Sequence, residues 1–145
     1  MTEPDLSTTV AGVRFRSPVL VSSSECTADL EMVRRLCDGP VGGLVTKTFT
    51  SNPGHKVRVR PYQFPLNVLG KGYREGKALY SLAAPHVEAL DAWSERVSRM
   101  ADLCRTASVV LAASFFEEPE ALDLWTETAR GLEEAGADML ELNFS

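Results

Sequence analysis

Four short apolar runs of this chain end in hydrogen-bonding residues, and this pattern most limits the folds open to it. The runs and their polar ends are Val19–Val21 with Ser22-Ser23-Ser24, Gly42–Val45 with Thr46-Lys47-Thr48, Val109–Ala113 with Ser114, and Asp138–Leu142 with Asn143-Phe144-Ser145. Near-continuous apolar strands are typical of a parallel sheet covered on both faces. Because the carboxyl ends of parallel strands share one edge, we expect these polar ends to form one binding face.

Amphipathic segments separate the apolar runs and predict helices between the strands. Apolar residues recur at helical spacing in the three segments Leu30–Cys37, from Pro85 through Val87 to Cys104, and from Pro119 through Leu122 to Leu132. Before the first strand, Leu6–Val10 and Val13–Phe15 flank Ala11-Gly12 and predict a β-hairpin. The predicted order is therefore a hairpin followed by β-α-β, a long loop from about Thr50 to Ala84, and α-β-α-β.

Two architectures accept this order: an open doubly wound sheet and part of an eight-stranded barrel. The first turn after a strand, Ser22–Cys26, contains none of the glycines that let a backbone approach a pyrophosphate. The sequence therefore favours the barrel.

Charge and composition exclude several classes of partner. The formal net charge is −5 and the basic residues are scattered, which argues against binding to nucleic acid or to an anionic membrane. No apolar run approaches the ~20 residues that span a bilayer, and the acidic start lacks a signal-peptide pattern. Three cysteines, Cys26, Cys37 and Cys104, lack the paired spacing of a metal site or a disulfide framework. We expect a cytoplasmic protein without a metal.

Five motifs in order resemble the dihydroorotate dehydrogenase family, most closely its soluble branch, which is related to dihydropyrimidine dehydrogenases. The motifs are Leu6-Ser7-Thr8-Thr9 with Gly12, Phe15-Arg16-Ser17-Pro18-Val19, Val45-Thr46-Lys47-Thr48, Leu66-Asn67-Val68-Leu69-Gly70 and Glu141-Leu142-Asn143-Phe144-Ser145. The resemblance implies an FMN-dependent (β/α)₈ barrel that transfers hydride between a dihydropyrimidine, such as dihydroorotate, and the flavin.

The resemblance also assigns site residues. It implies that Ser22, Ser23, Lys47, Thr48 and Asn143 bind the cofactor, and that Lys47 and Asn143 also contact the substrate. It further implies that two more residues, Asn67 and Ser145, bind the substrate. The family's catalytic base is the Cys expected directly after Ser145. Two departures, Ser24 in place of a common Gly and Lys71–Gly76 in place of a second Asn and Gly, leave open an FMN barrel that acts on another enone-like substrate.

The residue types have physical reasons to serve a flavin and also simpler explanations. A cation such as Lys47 stabilises the negative charge that builds up near N1 and the C2 carbonyl of a reduced flavin, or it extends to solvent. The Asn143 amide binds a carbonyl group or caps a turn, Asn67 does the same or forms an Asx turn, and Ser22 and Ser23 line the cofactor or cap a helix.

The length predicts an incomplete domain. A (β/α)₈ barrel needs roughly 250 residues, so residues 1–145 correspond to about the N-terminal half of one FMN-binding domain. We expect this segment to be inactive alone and to be completed by the rest of the barrel, a second chain or a homo-oligomer. A non-catalytic half-barrel that serves as a binding module is the alternative from another functional class.

Overall fold

A computed structural model describes residues 4–56, 63–66, 78–81 and 84–144. The strands are β1 Thr8–Val10, β2 Val13–Phe15, β3 Leu20–Val21, β4 Gly43–Val45, β5 Phe49–Thr50, β6 Gln63–Leu66, β7 Ala78–Ser81, β8 His86–Val87, β9 Val110–Phe115 and β10 Met139–Leu142. The helices are α1 Leu30–Cys37, α2 Leu90–Thr106 and α3 Leu122–Glu134, and two 3₁₀ turns span Glu25–Thr27 and Pro53–His55.

The principal sheet contains β3, β4, β5, β8, β9 and β10, and all its pairings are parallel. β9 is its centre: β4 pairs with its first half and β5 with its last residue, Phe115, while β10 pairs with Ala112–Phe115. The predicted parallel α/β arrangement is thus confirmed. Two antiparallel pairs, β1 with β2 and β6 with β7, stand apart from this sheet.

The core lies between the sheet and helix α2. The side chains of Trp93, Val97 and Met100 on α2 are completely buried, as are the rings of Phe49 in β5 and Phe115 in β9. Trp93 stacks on Phe49 with 5.5 Å between ring centroids and an interplanar angle of 4°. An aromatic pair of this size buries a large apolar area, so it fixes α2 against the sheet near the ends of β5 and β9.

Arg16 forms hydrogen bonds that link several chain segments at the opposite, amino end of the sheet. Its guanidinium donates to the carbonyl oxygens of Cys37 and Gly39 at and after the end of α1, of Val41 before β4 and of Ala107 after α2, at 2.6–3.0 Å. Helix ends leave carbonyl groups without partners, and a planar cation with five N–H groups can satisfy several of them at once. This part of the Phe15–Val19 motif therefore has a structural role.

Three sequence expectations about the elements are wrong in detail. Val87 belongs to strand β8 and precedes the helix that we expected to include it. Leu122 begins α3 but is largely exposed, because Thr128 and Leu132 form the buried face of that helix. The long loop expected from about Thr50 to Ala84 contains two paired strands, β6 and β7. The second predicted strand is confirmed as β4, which ends at Val45, and after the interruption at Thr46–Thr48 the chain forms β5 from Phe49.

Cys37 and Cys104 meet in the core although 67 residues separate them. Their sulfur atoms lie 3.7 Å apart, without a disulfide bond, where α1 packs on α2. Burial raises the pKa of both thiols, so they remain protonated at neutral pH and pack as small apolar groups.

Apolar side chains are exposed on the outer strands of the described sheet. They include Val19 and Leu20 beside β3 and Leu140, Leu142 and Phe144 at β10. In the described part of the chain, none of the helices combines the length and the apolar character that a membrane crossing requires.

Gly42 provides a direct test of how closely the segment before β4 approaches the segment before β3. A Cβ atom at Gly42 would lie 1.8 Å from the backbone oxygen of Ser17, so G42A should lower the free energy of unfolding by at least about 3 kcal/mol. At Gly131 in α3 the same methyl would make ordinary contacts, the closest at 3.4 Å, and G131A should raise stability by about 0.5–1 kcal/mol. Denaturant unfolding of both variants tests this contrast, and equal effects would contradict the described approach.

Candidate functional site

The hydroxyl group of Thr48 joins the ends of four strands. Its Oγ1 lies 2.9 Å from Ser114 Oγ in β9, 3.3 Å from Ser23 Oγ after β3 and 3.2 Å from Asn143 Nδ2 after β10. Thr48 itself lies between β4 and β5. A hydroxyl can donate one hydrogen bond and accept two, so these three partners use its full capacity.

The interruption of the second strand brings side-chain hydroxyl groups into the hydrogen-bond ladder. Thr46 N–H donates to the carbonyl of Ala112, but Ser114 N–H donates to the side chain Oγ1 of Thr46 at 3.0 Å. A hydroxyl thus replaces a backbone acceptor in the ladder between this segment and β9. Because Thr46 and Ser114 are buried, these bonds satisfy groups that would otherwise be costly to remove from water.

The loop after β3 contacts the same segment through both side chain and backbone. Thr48 N–H donates to Ser23 Oγ at 3.0 Å, and Lys47 N–H donates to the carbonyl of Thr27 at 3.3 Å. The Thr27 hydroxyl closes the 3₁₀ turn Glu25–Thr27, because it accepts from Ser24 N–H at 3.0 Å and donates to Ser24 O at 2.9 Å. The Thr27 side chain therefore orders the loop. Asp29 then caps α1 by accepting from Met32 N–H.

Lys47 places a positive charge at this face of the sheet. Its side chain is only 10% exposed, and its Nζ lies 3.1 Å from Glu25 Oε1 on the 3₁₀ turn. A nearly buried ammonium group requires a counterion or a polar ligand, because an isolated charge away from water is strongly unfavourable.

The structure brings together most of the described residues that the sequence predicted for the site. Thr48 is hydrogen-bonded to both Ser23 and Asn143. Lys47 lies next to Thr48 after β4, and its side chain pairs with Glu25 in the loop after β3. Ser22 is exposed at the end of β3. Two predicted substrate residues, Asn67 and Ser145, lie outside the described residues, so their roles remain predictions.

Ser114 was expected at this edge of the sheet from the sequence, whereas Glu117 was not. Ser114 is completely buried beside Thr48, and Glu117 is buried two residues after β9. Glu117 accepts hydrogen bonds from Thr128 Oγ1 at 3.0 Å and from Ser51 Oγ at 3.3 Å. Its position just past a strand end was the one signal in the sequence that could have identified it.

The arrangement suits a ligand with carbonyl or anionic groups. Hydroxyl and amide side chains at four strand ends form a connected hydrogen-bond network, and an ammonium group lies next to it along the chain. A network whose members hold one another in place presents donors without reorganisation, which is what recognition of a polar ring requires.

Similarity to known proteins extends over the whole chain. The NAD-dependent dihydropyrimidine dehydrogenase subunit PreA of Escherichia coli strain K12 is 34% identical over 148 residues, covering 100% of this chain and 33% of the relative. The catalytic subunit of dihydroorotate dehydrogenase B (NAD(+)) of Methanocaldococcus jannaschii is 28% identical over 149 residues, covering 100% and 43%. The chloroplastic dihydropyrimidine dehydrogenase (NADP(+)) of Arabidopsis thaliana is 25% identical over 145 residues, covering 99% and 33%.

The resemblance drawn from the five motifs is therefore confirmed: the curated relatives of this chain are dihydropyrimidine and dihydroorotate dehydrogenases. The chain spans 33% to 43% of the length of these relatives. No protein-family model matches it.

Replacing Thr48 by Val should show whether its hydroxyl holds the strand ends together. The change keeps the side-chain shape but removes a hydrogen-bond partner from the buried Ser114, so we expect T48V to lose about 1–3 kcal/mol of stability. As a control, T126V removes a hydroxyl that donates to Leu122 O on the exposed side of α3 and should change stability by less than about 0.5 kcal/mol. Urea unfolding measures both, and a loss for T48V no larger than that for T126V would contradict the network.

Proposed function

We propose that this chain supplies part of the cofactor and substrate face of an FMN-dependent oxidoreductase of the dihydroorotate dehydrogenase type. The enzyme would transfer hydride between a dihydropyrimidine, such as dihydroorotate, and the flavin. The observation that carries this proposal is the convergence of Ser23, Thr48, Ser114 and Asn143 at the carboxyl ends of four parallel strands. The names of the relatives support a pyrimidine as the substrate.

We also propose that the parallel sheet is part of a (β/α)₈ barrel. The strands β3, β4, β9 and β10 pair in the order in which they occur along the chain, and β5 and β8, which come between β4 and β9 in the sequence, pair with each other beside the last residue of β9. Neighbours in sequence order are what a barrel requires, and its active site lies at the carboxyl ends of the strands. The Thr48 network lies at that end.

The donors present fit a flavin ring. A flavin edge offers carbonyl oxygens and ring nitrogens, which need N–H or O–H donors and, when reduced, a nearby positive charge. Lys47 supplies an ammonium group that is nearly buried, and Asn143 supplies an amide held by Thr48. Bound FMN would supply the centre that accepts or donates hydride.

Each residue has a specific task in this proposal. Lys47 stabilises negative charge on the ring edge, where its low exposure weakens competition from water. Thr48 orients the Asn143 amide toward a carbonyl group, while Ser22 and Ser23 line the cofactor after β3. Asn67 and Ser145 would bind the pyrimidine, and the proton-transferring base is expected directly after Ser145.

Removing the charge of Lys47 tests the proposal. K47M preserves an apolar stem of similar length, so the protein should fold and still contain the Thr48 network. We expect purified wild-type protein, with the whole catalytic domain, to be yellow and its absorbance to bleach when dihydroorotate or dihydrouracil is added. In K47M we expect turnover to fall roughly 10²-fold, in line with the loss of a donor aimed at developing charge.

The free energy of unfolding distinguishes this role of Lys47 from a structural one. The ion pair of Lys47 with the exposed Glu25 contributes at most about 1 kcal/mol, so K47M should unfold within about that range of wild type. R34M removes an exposed ion pair with Glu31 on α1 and serves as the control that leaves turnover unchanged. A colourless wild type that does not bind FMN would refute the proposed function.

A further inference from the structure

The counterion of Lys47 is unusual in how unequally the two partners are buried. The Lys47 side chain is 10% exposed, whereas Glu25 is 84% exposed, and the two charged atoms lie 3.1 Å apart. Because the carboxylate stays in water, it loses little solvation in the pair and can leave at low cost. The ammonium group, in contrast, needs a replacement partner when Glu25 leaves.

The backbone that carries Glu25 is held in place while its side chain is not. The Thr27 hydroxyl closes the 3₁₀ turn with two bonds to the Ser24 backbone, and Thr27 O accepts from Lys47 N–H. These bonds fix the turn against the strand that ends at Lys47. The exposed Glu25 side chain can therefore change rotamer without any rearrangement of the loop.

We propose that Glu25 is a displaceable counterion of Lys47: the Glu25 carboxylate pairs with the ammonium group until an anionic group of a ligand takes its place. Glu25 then remains near the site as a negative charge and lowers affinity for ligands whose anionic group approaches Lys47. Glu25 is thus a specificity-determining residue, because its negative charge near Lys47 disfavours ligands with an anionic group at that position. The identity of the ligand rests on the proposed function, whereas the exchange at Lys47 does not.

Chemical labelling of Lys47 tests the exchange without any cofactor. Trinitrobenzenesulfonate is an anionic amine reagent, and N-hydroxysuccinimidyl acetate is a neutral one; mass spectrometry of the Lys47 peptide gives the rate with each. The ratio of the two rates removes any change in amine exposure or basicity, since such changes affect both reagents. In E25Q this ratio should rise about threefold to fivefold at low ionic strength and return toward the wild-type value near 1 M salt.

Glu31 offers a matched control on the neighbouring helix. It is also an exposed carboxylate in an ion pair, and its hydrogen bond from Arg34 lowers its pKa to about 2, so it is ionised at neutral pH. E31Q removes the same charge without touching Lys47, and the labelling ratio at Lys47 should stay at the wild-type value.

Ligand titrations identify which anionic group displaces Glu25. If Lys47 faces the flavin, E25Q should tighten FMN binding about threefold to fivefold and leave the preference between orotate and uracil unchanged. If Lys47 faces the substrate, E25Q should tighten binding of orotate, which carries a carboxylate, but not of uracil, which does not.

The outcomes separate this inference from the proposed function. An unchanged labelling ratio in E25Q, or an equal change in E31Q, would overturn the role of Glu25 whatever the ligand is. Failure of every variant to bind FMN, orotate or uracil would refute the proposed function, while a raised labelling ratio would still establish Glu25 as the displaceable counterion.

Discussion

The need to satisfy buried hydroxyl groups shapes the carboxyl end of this sheet. Thr48 Oγ1 is the shared partner of side chains at the ends of three other strands, and Ser114, the most deeply buried of them, lies in the central strand. A buried polar group without a partner would cost about 1–3 kcal/mol, so the four strand ends favour one common arrangement. The same network that stabilises the sheet edge also holds the donors of the candidate site in position.

The two ends of the sheet differ in how their polar groups are used. At the amino end, Gly42 permits close approach of backbones and Arg16 binds carbonyl groups from three segments. These interactions hold backbone segments to one another. At the carboxyl end, the interrupted strand around Lys47 provides side-chain donors where a regular ladder would have used backbone groups. The irregular segment therefore carries side chains of the candidate site.

Much of this could be predicted from the sequence because the underlying pattern is local. Apolar runs that end in polar residues predicted the parallel strands, and the shared edge of such strands predicted that Ser23, Thr48 and Asn143 would meet. The deeper features are non-local. The 3.7 Å approach of Cys37 to Cys104 joins residues 67 positions apart, and spacing along the chain carries no signal for it. The meeting of Ser114 with Thr48 was expected only as far as a shared edge of the sheet, because the pattern of strand ends gives no individual hydrogen bond. Likewise, the two-residue strand that contains Val87 is too short for a periodic pattern.

The most direct test of the central claim is an NMR titration of the ¹⁵N-labelled protein with FMN. If the polar strand ends form one flavin-binding face, the backbone amides of Ser23, Thr48, Ser114 and Asn143 should shift together and saturate with a single dissociation constant. The backbone amides of Ser98 in α2 and Arg130 in α3, which are exposed residues on the helices and not at the strand ends, should keep their chemical shifts. Saturating FMN that leaves the four strand-end amides unshifted, or that shifts only the helical residues, would contradict the account.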